Sequence, residues 1–379
     1  MDSRIALAAN TQLHFHNKEG GAVRYTIIKE IGRGGSCIVY DASYETNTGD
    51  IKCVRIKECY PAKMRIERAL DEHLTAHPAD NGQFEAVKSK FQSDFSLGNG
   101  LFYAEGGLYD ALITTIDIYS GNGTSYLVST YSPEFTLATY RPENLRVCVT
   151  LVKQVAQIIK RIHNEGYLYL DTKPDNVLVL DSYATRVQLF DLDSLIPMDS
   201  KLQNTFVDPR NVRVSFSKGF SAIELQMGKV KKLGRHTDVY GVGALLFYLL
   251  FGATPTAADC ESEATFDFSK SVYAEEEYQD KLYFALTDFF HNALANFYLD
   301  RYSDMAQVVN ALTSIESLAD PSKPYIKSST VTVTGELVGR QNDLQSLTAW
   351  FGNNNSPCAF VTGMGGIGKS TLVRAFLSQ

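Results

Sequence analysis

The tightest constraint in this 379-residue chain is one eight-residue string together with an aspartate downstream of it. The string is Tyr169-Leu170-Asp171-Thr172-Lys173-Pro174-Asp175-Asn176, and Asp191 comes fifteen residues after its last member, within Leu189-Phe190-Asp191-Leu192-Asp193. Asp, Lys, Pro and Asn rarely fall at this spacing by chance. The set offers a carboxylate and an ammonium close together. It adds two hard oxygen donors, Asn176 and Asp191.

The chain around this string is ordered as a β-rich half followed by an α-rich half. Residues 24–29 alternate polar and apolar side chains, and strands are predicted again at 37–42 and 51–57. Between the first two lies Gly32-Arg33-Gly34-Gly35, followed by Cys37 and Val39. Glycines there let the backbone N–H groups of a hairpin approach phosphate oxygens without side-chain obstruction. Lys57 ends the third strand, where an ammonium can pair with α/β-phosphates while a helix carboxylate holds it. Residues 62–104 mix helical periodicity with breaks at Pro78 and Asn81-Gly82, and Phe84, Val87, Phe91 and Phe95 share one helical face. That helix offers Asp94 as the carboxylate, favoured by its distance to the next strand, with Glu85 as rival. Ser120-Gly121-Asn122-Gly123 separates two strand-like runs, 112–119 and 124–131, as a hairpin turn. From Pro142 onward the pattern is helical. Val147, Leu151, Val155, Ile158, Ile159 and Ile162 form one apolar stripe, short strands surround 171–180 and 187–190, and helices come after them at 221–226, 237–251, 282–295 and 303–318.

The eight-residue string resembles the protein-kinase catalytic loop, H-R-D-L-K-P-x-N. The resemblance makes Asp171 the base that accepts or orients the substrate hydroxyl proton, and Lys173 the cation that neutralises the moving phosphoryl group. Asn176 becomes a Mg²⁺ ligand, and Asp191 the chelating aspartate of D-F-G. Gly219-Phe220-Ser221-Ala222-Ile223-Glu224 is similar to the segment ending in A-P-E. His236-Thr237-Asp238-Val239-Tyr240-Gly241-Val242-Gly243 resembles the helix H-S-D-V-Y-S-L-G. Asp238 is then expected to hold the catalytic-loop backbone, and Arg301 to pair with Glu224. Lys173-Pro174 resembles the Ser/Thr subclass, and the chain is identified as similar to bacterial members of the eukaryotic-like serine/threonine kinases. Gly32, Gly34, Val39 and Lys57 are expected at the nucleotide, with Asp94 supporting the lysine. Ser129 is expected to be the gatekeeper, and Thr130 and Tyr131 the hinge beside adenine.

The implied fold is α+β and bilobal. It has an N-terminal extension at 1–19, a kinase domain at 20–318 with a β-rich lobe at about 20–131 and an α-helical lobe at about 132–318, and a linker at 319–335. ATP and Mg²⁺ are the implied cofactors, and a protein hydroxyl the implied acceptor. Tyr169 and Leu170 replace the His and Arg of H-R-D, and Asp193 replaces the glycine of D-F-G. The absent arginine normally grips a phosphorylated activation segment. Thr205, Ser215 and Ser217 are therefore expected to be dispensable together. The departures also keep open a catalytically silent, kinase-fold scaffold.

A second motif, Gly363-Met364-Gly365-Gly366-Ile367-Gly368-Lys369-Ser370, fits the P-loop pattern and comes after a strand-like 358–362. Gly363 and Gly368 would open the backbone to phosphates, Lys369 would reach them, and Ser370 would ligate Mg²⁺. With Leu337-Val338-Gly339-Arg340 upstream, residues 336–379 resemble the start of a STAND-class NTPase of the NB-ARC or NACHT kind, an α/β segment cut short. That resemblance implies a longer signalling or defence protein and oligomerisation through the NTPase region. A net charge of −7 argues against nucleic-acid binding by bulk charge. Six scattered cysteines without a CxxC pair suggest neither zinc nor a disulfide framework, and no run reaches the ~20 apolar residues of a membrane span. A cytoplasmic protein without a membrane partner is the expectation.

Overall fold

The computed structural model describes residues 2–16, 21–46, 48–103, 108, 111–112, 115–130, 135–180, 186–198, 216–273, 280–319, 341–352, 372–373 and 376. The chain divides into two compact units. One comprises Met1–Leu97, Thr114–Pro133 and Thr332–Gln379, the other Gly98–Ile113 and Glu134–Val331.

The first unit is built around a six-stranded antiparallel sheet. Its strands are β1 (Gln12–His16), β2 (Ala22–Arg33), β3 (Cys37–Glu45) and β4 (Ile51–Cys59), followed after two short strands, β5 (Ile66–Arg68) and β6 (Leu74–Ala76), by helix α1 (Asn81–Tyr103) and the hairpin β7 (Thr115–Gly121) and β8 (Thr124–Thr130). The sheet order is β1-β2-β3-β4-β8-β7, while β5 and β6 pair only with each other. Phe15 of β1 stacks on Tyr119 of β7 with ring centroids 4.7 Å apart, so the sheet curls until its two edges touch. Residues set apart in the sequence as an N-terminal extension thus supply an edge strand, and Leu7, Leu13 and Phe15 join the core.

Helix α1 begins at Asn81, so Asn81-Gly82 opens it instead of breaking it. Phe84, Phe91 and Phe95 are buried on its inner face and Val87 packs at the margin, as the periodicity predicts. The β7–β8 turn needs only Asn122 and Gly123, both at positive φ (48° and 72°), the conformation of a type I′ hairpin.

The second unit is mostly helical. Helix α2 (Leu145–Asn164) starts where the Asn144 side chain accepts a hydrogen bond from the Val147 N–H at 2.9 Å, and it buries the predicted apolar stripe. Two small ladders come next. Strand β9 (Tyr167–Leu168) pairs with β12 (Ile196–Pro197), and β10 (Val177–Val179) with β11 (Val187–Leu189). Short α3 (Ile223–Gln226) precedes α4 (Arg235–Phe251), then α5 (Asp280–Leu294) and α6 (Met305–Leu318). Helix α4 is apolar nearly all round and buried along most of its length, which identifies it as the unit's central post. Gly243 lets α5 approach closely, since a Cβ there would sit 2.7 Å from the Ala293 Cβ.

Helix α7 spans Gln341–Gly352. Gly363, Gly368, Lys369 and Ser370 lie outside the described residues, as does most of the predicted linker. No helix among the described residues is long and apolar enough to cross a membrane.

Gly123→Ala is expected to destabilise the first unit by about 2 kcal/mol or more. Its Cβ would meet the Leu74 carbonyl oxygen at 2.2 Å, at a φ that L-residues adopt only at a cost. A urea titration checks this: the midpoint should fall at unchanged slope.

Candidate active site

Two ladders fix where the chemistry of the second unit gathers. Residues 169–176 join β9 to β10, and residues 190–195 join β11 to β12. Because β9 pairs with β12 and β10 with β11, both connections are pinned at both ends and lie side by side. The Tyr169 hydroxyl donates to the Phe190 carbonyl at 2.7 Å, the Ser194 hydroxyl to the Tyr169 carbonyl at 2.7 Å, and the Phe190 N–H to the Asn176 carbonyl at 3.2 Å. Asp191 therefore stands beside the Asp171–Asn176 loop, as the spacing predicts.

Asp171 is the hub. It is 9% exposed, and three donors converge on its carboxylate. The Lys173 ammonium lies 2.7 Å from Oδ2, the Asn176 amide nitrogen donates to the same oxygen at 2.7 Å and to the Asp171 carbonyl at 3.0 Å, and the Ser217 hydroxyl donates to Oδ1 at 2.8 Å. Lys173 also reaches the Ser217 Oγ at 3.2 Å. With its nitrogen committed to Asp171, the Asn176 amide turns its oxygen elsewhere.

The loop is held from below by Asp238 near the start of α4. Its buried carboxylate accepts the N–H of Leu170 at 2.7 Å and of Tyr169 at 3.0 Å, and lies 2.8 Å from His163 Nε2. Leu170 sits at φ 61° and Asp191 at φ 62°, both left-handed and neither glycine. Strain of about 1–2 kcal/mol at each persists only where the surroundings impose it, and such positions concentrate at functional sites. Burial, and then the charges of Asp171, Asp191 and Asp238, push the Tyr169 phenol well above its ordinary range, so it stays protonated as a donor. Arg301 pairs with Glu224 through two bonds of 2.8 and 3.1 Å in the interior, as expected from the sequence.

Ser217 departs from the expectation. The sequence groups it with Thr205 and Ser215 as a dispensable activation-segment hydroxyl, yet it is bonded to the Asp171 carboxylate. The only signal for it is position, seven residues ahead of Glu224; nothing in charge or periodicity marks it. Thr205 and Ser215 lie outside the described residues.

In the first unit the expected nucleotide residues fall in one row across the sheet. Gly32 pairs with Val39, Val39 with Lys57, and Lys57 with Leu127. Directly paired residues project from the same face, so Val39 and Lys57 share a surface below the glycine-rich turn. Glu85, one suggested partner of Lys57, instead pairs with Lys88 at 2.7 Å one helical turn along and is exposed. The Asp94 side chain lies outside the described residues, and so does Tyr131; Thr130 closes β8 opposite Val54. A buried group that the sequence does not flag is Glu58, beside Lys57 on the opposite face. It pairs with Arg68 at 2.6 Å and accepts from the Tyr40 and Tyr126 hydroxyls at 2.9 and 3.1 Å.

Comparison with known proteins agrees with this geometry. The family model for the protein kinase domain matches residues 107–311. Among curated proteins, the chain is 24% identical over 309 residues to the probable serine/threonine-protein kinase PknB of Lactococcus lactis, covering 78% of this chain and 43% of that protein. It is 24% identical over 303 residues to serine/threonine-protein kinase D of Synechocystis, covering 79% of this chain and 54% of that one. A shorter match of 139 residues, at 25% identity, joins it to the smooth-muscle myosin light chain kinase of Gallus gallus, covering 34% of this chain and 7% of that protein. The chain thus spans about half or less of the length of these relatives. A solved structure described as the apo form of PpkA-294 superposes with a TM-score of 0.59 at 21% identity, covering 81% of this chain and 99% of that one, which shows the shared fold.

Asp238→Ala is expected to cost about 3 kcal/mol, because it leaves two buried N–H groups without an acceptor. Hydrogen exchange at the amides of Tyr169 and Leu170 should accelerate in step with the fall in the urea midpoint; unchanged exchange there would mean that another group holds the loop.

Proposed function

This chain belongs to the protein kinase domain family, and from that premise we propose that it transfers the γ-phosphoryl group of ATP to a Ser or Thr hydroxyl of a protein substrate. The observation that carries this reading is the Asp171 carboxylate gripped by Lys173, Asn176 and Ser217 beside Asp191.

In the proposed reaction the substrate oxygen attacks the γ-phosphorus in line, the bond to the departing ADP oxygen breaks, and the hydroxyl proton passes to Asp171 Oδ. The hydrogen bonds from Asn176 and Ser217 aim the carboxylate. Lys173, already at hydrogen-bond distance from it, offsets negative charge on the transferring group. Lys57 is assigned to the α/β-phosphates, the turn carrying Gly32 and Gly34 to the phosphates, Val39 to the nucleotide, and Thr130 and Tyr131 to the adenine edge.

The donor set fits Mg²⁺. Asn176 has an amide oxygen to give and Asp191 a carboxylate, both hard ligands. Among the described residues no cluster of three or more His, Cys, Asp or Glu side chains would hold a metal alone, so phosphate oxygens would complete the shell. Bound there, the ion would neutralise charge on the β- and γ-phosphates.

Leu170 bears on regulation. Where the family pattern has an arginine, this side chain is 6% exposed and packs with Leu168, Ile196, Leu225 and Leu233. We propose that this apolar contact takes the place of an arginine–phosphate contact, so that the kinase does not depend on phosphorylation of its activation segment. We also propose that residues 336–379, with Gly363, Gly368, Lys369 and Ser370 as phosphate ligands, begin an NTPase module of STAND type for which the kinase is the effector. The motif alone supports that part.

Two predictions test the reading. Asp171→Ala should lower phosphoryl transfer by about 10²–10⁴-fold while ATP still binds, measured with radiolabelled ATP and a generic protein substrate. Wild-type protein that binds ATP without any turnover would favour the silent scaffold instead. The double variant Thr205→Ala with Ser215→Ala should retain near wild-type activity, whereas Ser217→Ala should lose at least about tenfold by freeing the Asp171 carboxylate. Loss of activity in the double variant would reject phosphorylation independence.

A further inference from the structure

The segment 2–7 is anchored to the sheet by its backbone and by Arg4. Arg4 is 7% exposed, and its guanidinium is fully engaged. One terminal nitrogen donates to the carbonyls of Cys37, at 3.1 Å, and Tyr60; the other donates to the Gly34 carbonyl at 2.9 Å and to Asp2 at 2.5 Å. Its Nε donates to the Asp2 carboxylate at 3.0 and 3.1 Å. The glycine-rich turn answers in kind: Arg33, the residue between Gly32 and Gly34, donates to the Arg4 carbonyl at 2.8 Å and lies 3.6 Å from Asp2. Two further ties anchor the segment. Arg68 Nε donates to the Ile5 carbonyl at 2.8 Å, and the Leu7 N–H to the Tyr40 hydroxyl at 3.1 Å.

The consequence falls on the turn itself. The Gly34 carbonyl is taken by Arg4, that of Gly35 by the Ala62 N–H at 2.9 Å, and that of Ser36 by the Tyr60 N–H at 2.9 Å. The Cys37 carbonyl accepts both the Gly34 N–H at 2.9 Å and Arg4. Every carbonyl from residue 34 to 37 is therefore held by an internal donor. In a trans peptide the C=O and the following N–H point in opposite directions. With the Gly34 carbonyl held by Arg4 and the Gly35 carbonyl by Ala62, the N–H groups of Gly35 and Ser36 each point away from those donors, as an anion-binding turn requires. A glycine-rich turn is otherwise free to rotate these peptide planes, because glycine places little restriction on φ.

We propose that segment 2–7 is a brace that sets the glycine-rich turn for the triphosphate of ATP, with Arg4 as the positioning residue. The proposal rests on the ATP reading above. Its thermodynamic content is pre-organisation: a turn already in its phosphate-binding form loses less freedom when the nucleotide arrives. The donors of the Arg4 guanidinium are spent on backbone carbonyls and on Asp2, so the expected effect lies in ATP affinity and not in the chemical step.

The test compares the full chain with three variants. Arg4→Ala removes the brace contacts. Arg4→Lys keeps the charge but cannot span three carbonyls with a planar fork. Leu13→Ala weakens the same sheet through its core without touching the turn. Binding of a fluorescent ATP analogue and KM for ATP against kcat are read for each, together with Tm. Arg4→Ala should raise Kd and KM for ATP about tenfold with kcat within about twofold, Arg4→Lys should fall between it and wild type, and Leu13→Ala should lower Tm with KM for ATP unchanged. If Arg4→Ala lowers Tm but binds ATP as tightly as wild type, or if Leu13→Ala raises KM equally, the brace is only structural and the proposal falls. If wild type itself binds no ATP, the ATP reading fails first and takes the brace with it.

Discussion

A single buried carboxylate, Asp238, carries the geometry of the catalytic loop. Its two oxygens take the N–H groups of Tyr169 and Leu170 and face His163, all in the interior of the helical unit. Without that acceptor the two N–H groups would be orphaned, and Leu170 would lose its backbone hold in the left-handed region. With it, the chain reverses sharply just before Asp171 and delivers that side chain to Lys173, Asn176 and Ser217. Helix α4 can bear this role because it is itself encased: Thr237, Asp238, Val239 and Tyr240 are all buried. A largely apolar helix is thus the rigid post from which a polar loop is hung.

The same logic, backbone held so that side chains can act, recurs in the sheet unit. There Glu58 plays the anchoring part. It joins Arg68 and two tyrosine hydroxyls beneath β4, while the next residue back, Lys57, faces the other way. A buried ion pair of this kind contributes little net stability over an apolar replacement, but breaking one partner is costly. Its hydrogen-bonded neighbours make it a device for fixing one arrangement of strand β4 and the β5–β6 hairpin. Burial together with the Glu58 charge holds both tyrosines far above their ordinary range, so they remain donors to that carboxylate at any working pH.

What the sequence made legible was short in range. Asp171, Lys173 and Asn176 sit within six residues, so local hydrogen bonds join them once the loop is held. Asp191 was legible because two three-residue strands convert a fixed spacing into adjacency. The α2 stripe and the Phe84–Phe91–Phe95 face were legible because helical periodicity is a local property. The misses were long-range. Ser217 reaches Asp171 across 46 positions, and a serine in a polar segment carries no mark of its partner. Arg4 reaches Gly34 and Tyr60 across 30 and 56 positions. Its segment was set apart as an N-terminal extension because the alternation of Leu13 and Phe15 was too brief to announce an edge strand. Glu85, the rival partner for Lys57, pairs with Lys88 three residues along its own helix, and Asp94, the favoured one, has its side chain outside the described residues.

The replacement of an arginine by Leu170 is instructive about magnitudes. An arginine in that position can be held by a phosphate only after modification, so its hold on the loop is conditional. A buried leucine needs no such event. Full burial of the side chain contributes about 1.5–3 kcal/mol, against a left-handed backbone penalty of about 1–2 kcal/mol. The apolar cluster of Leu168, Leu170, Ile196, Leu225 and Leu233 therefore suffices, together with the Asp238 hydrogen bonds, to keep the strained residue in place. It also ties β9, β12 and the segment around α3 into one body, linking the loop that bears Asp171 to the chain that presents Ser217. On the proposed reading a loop fixed in this way needs no phosphate, and control acts elsewhere, on the glycine-rich turn.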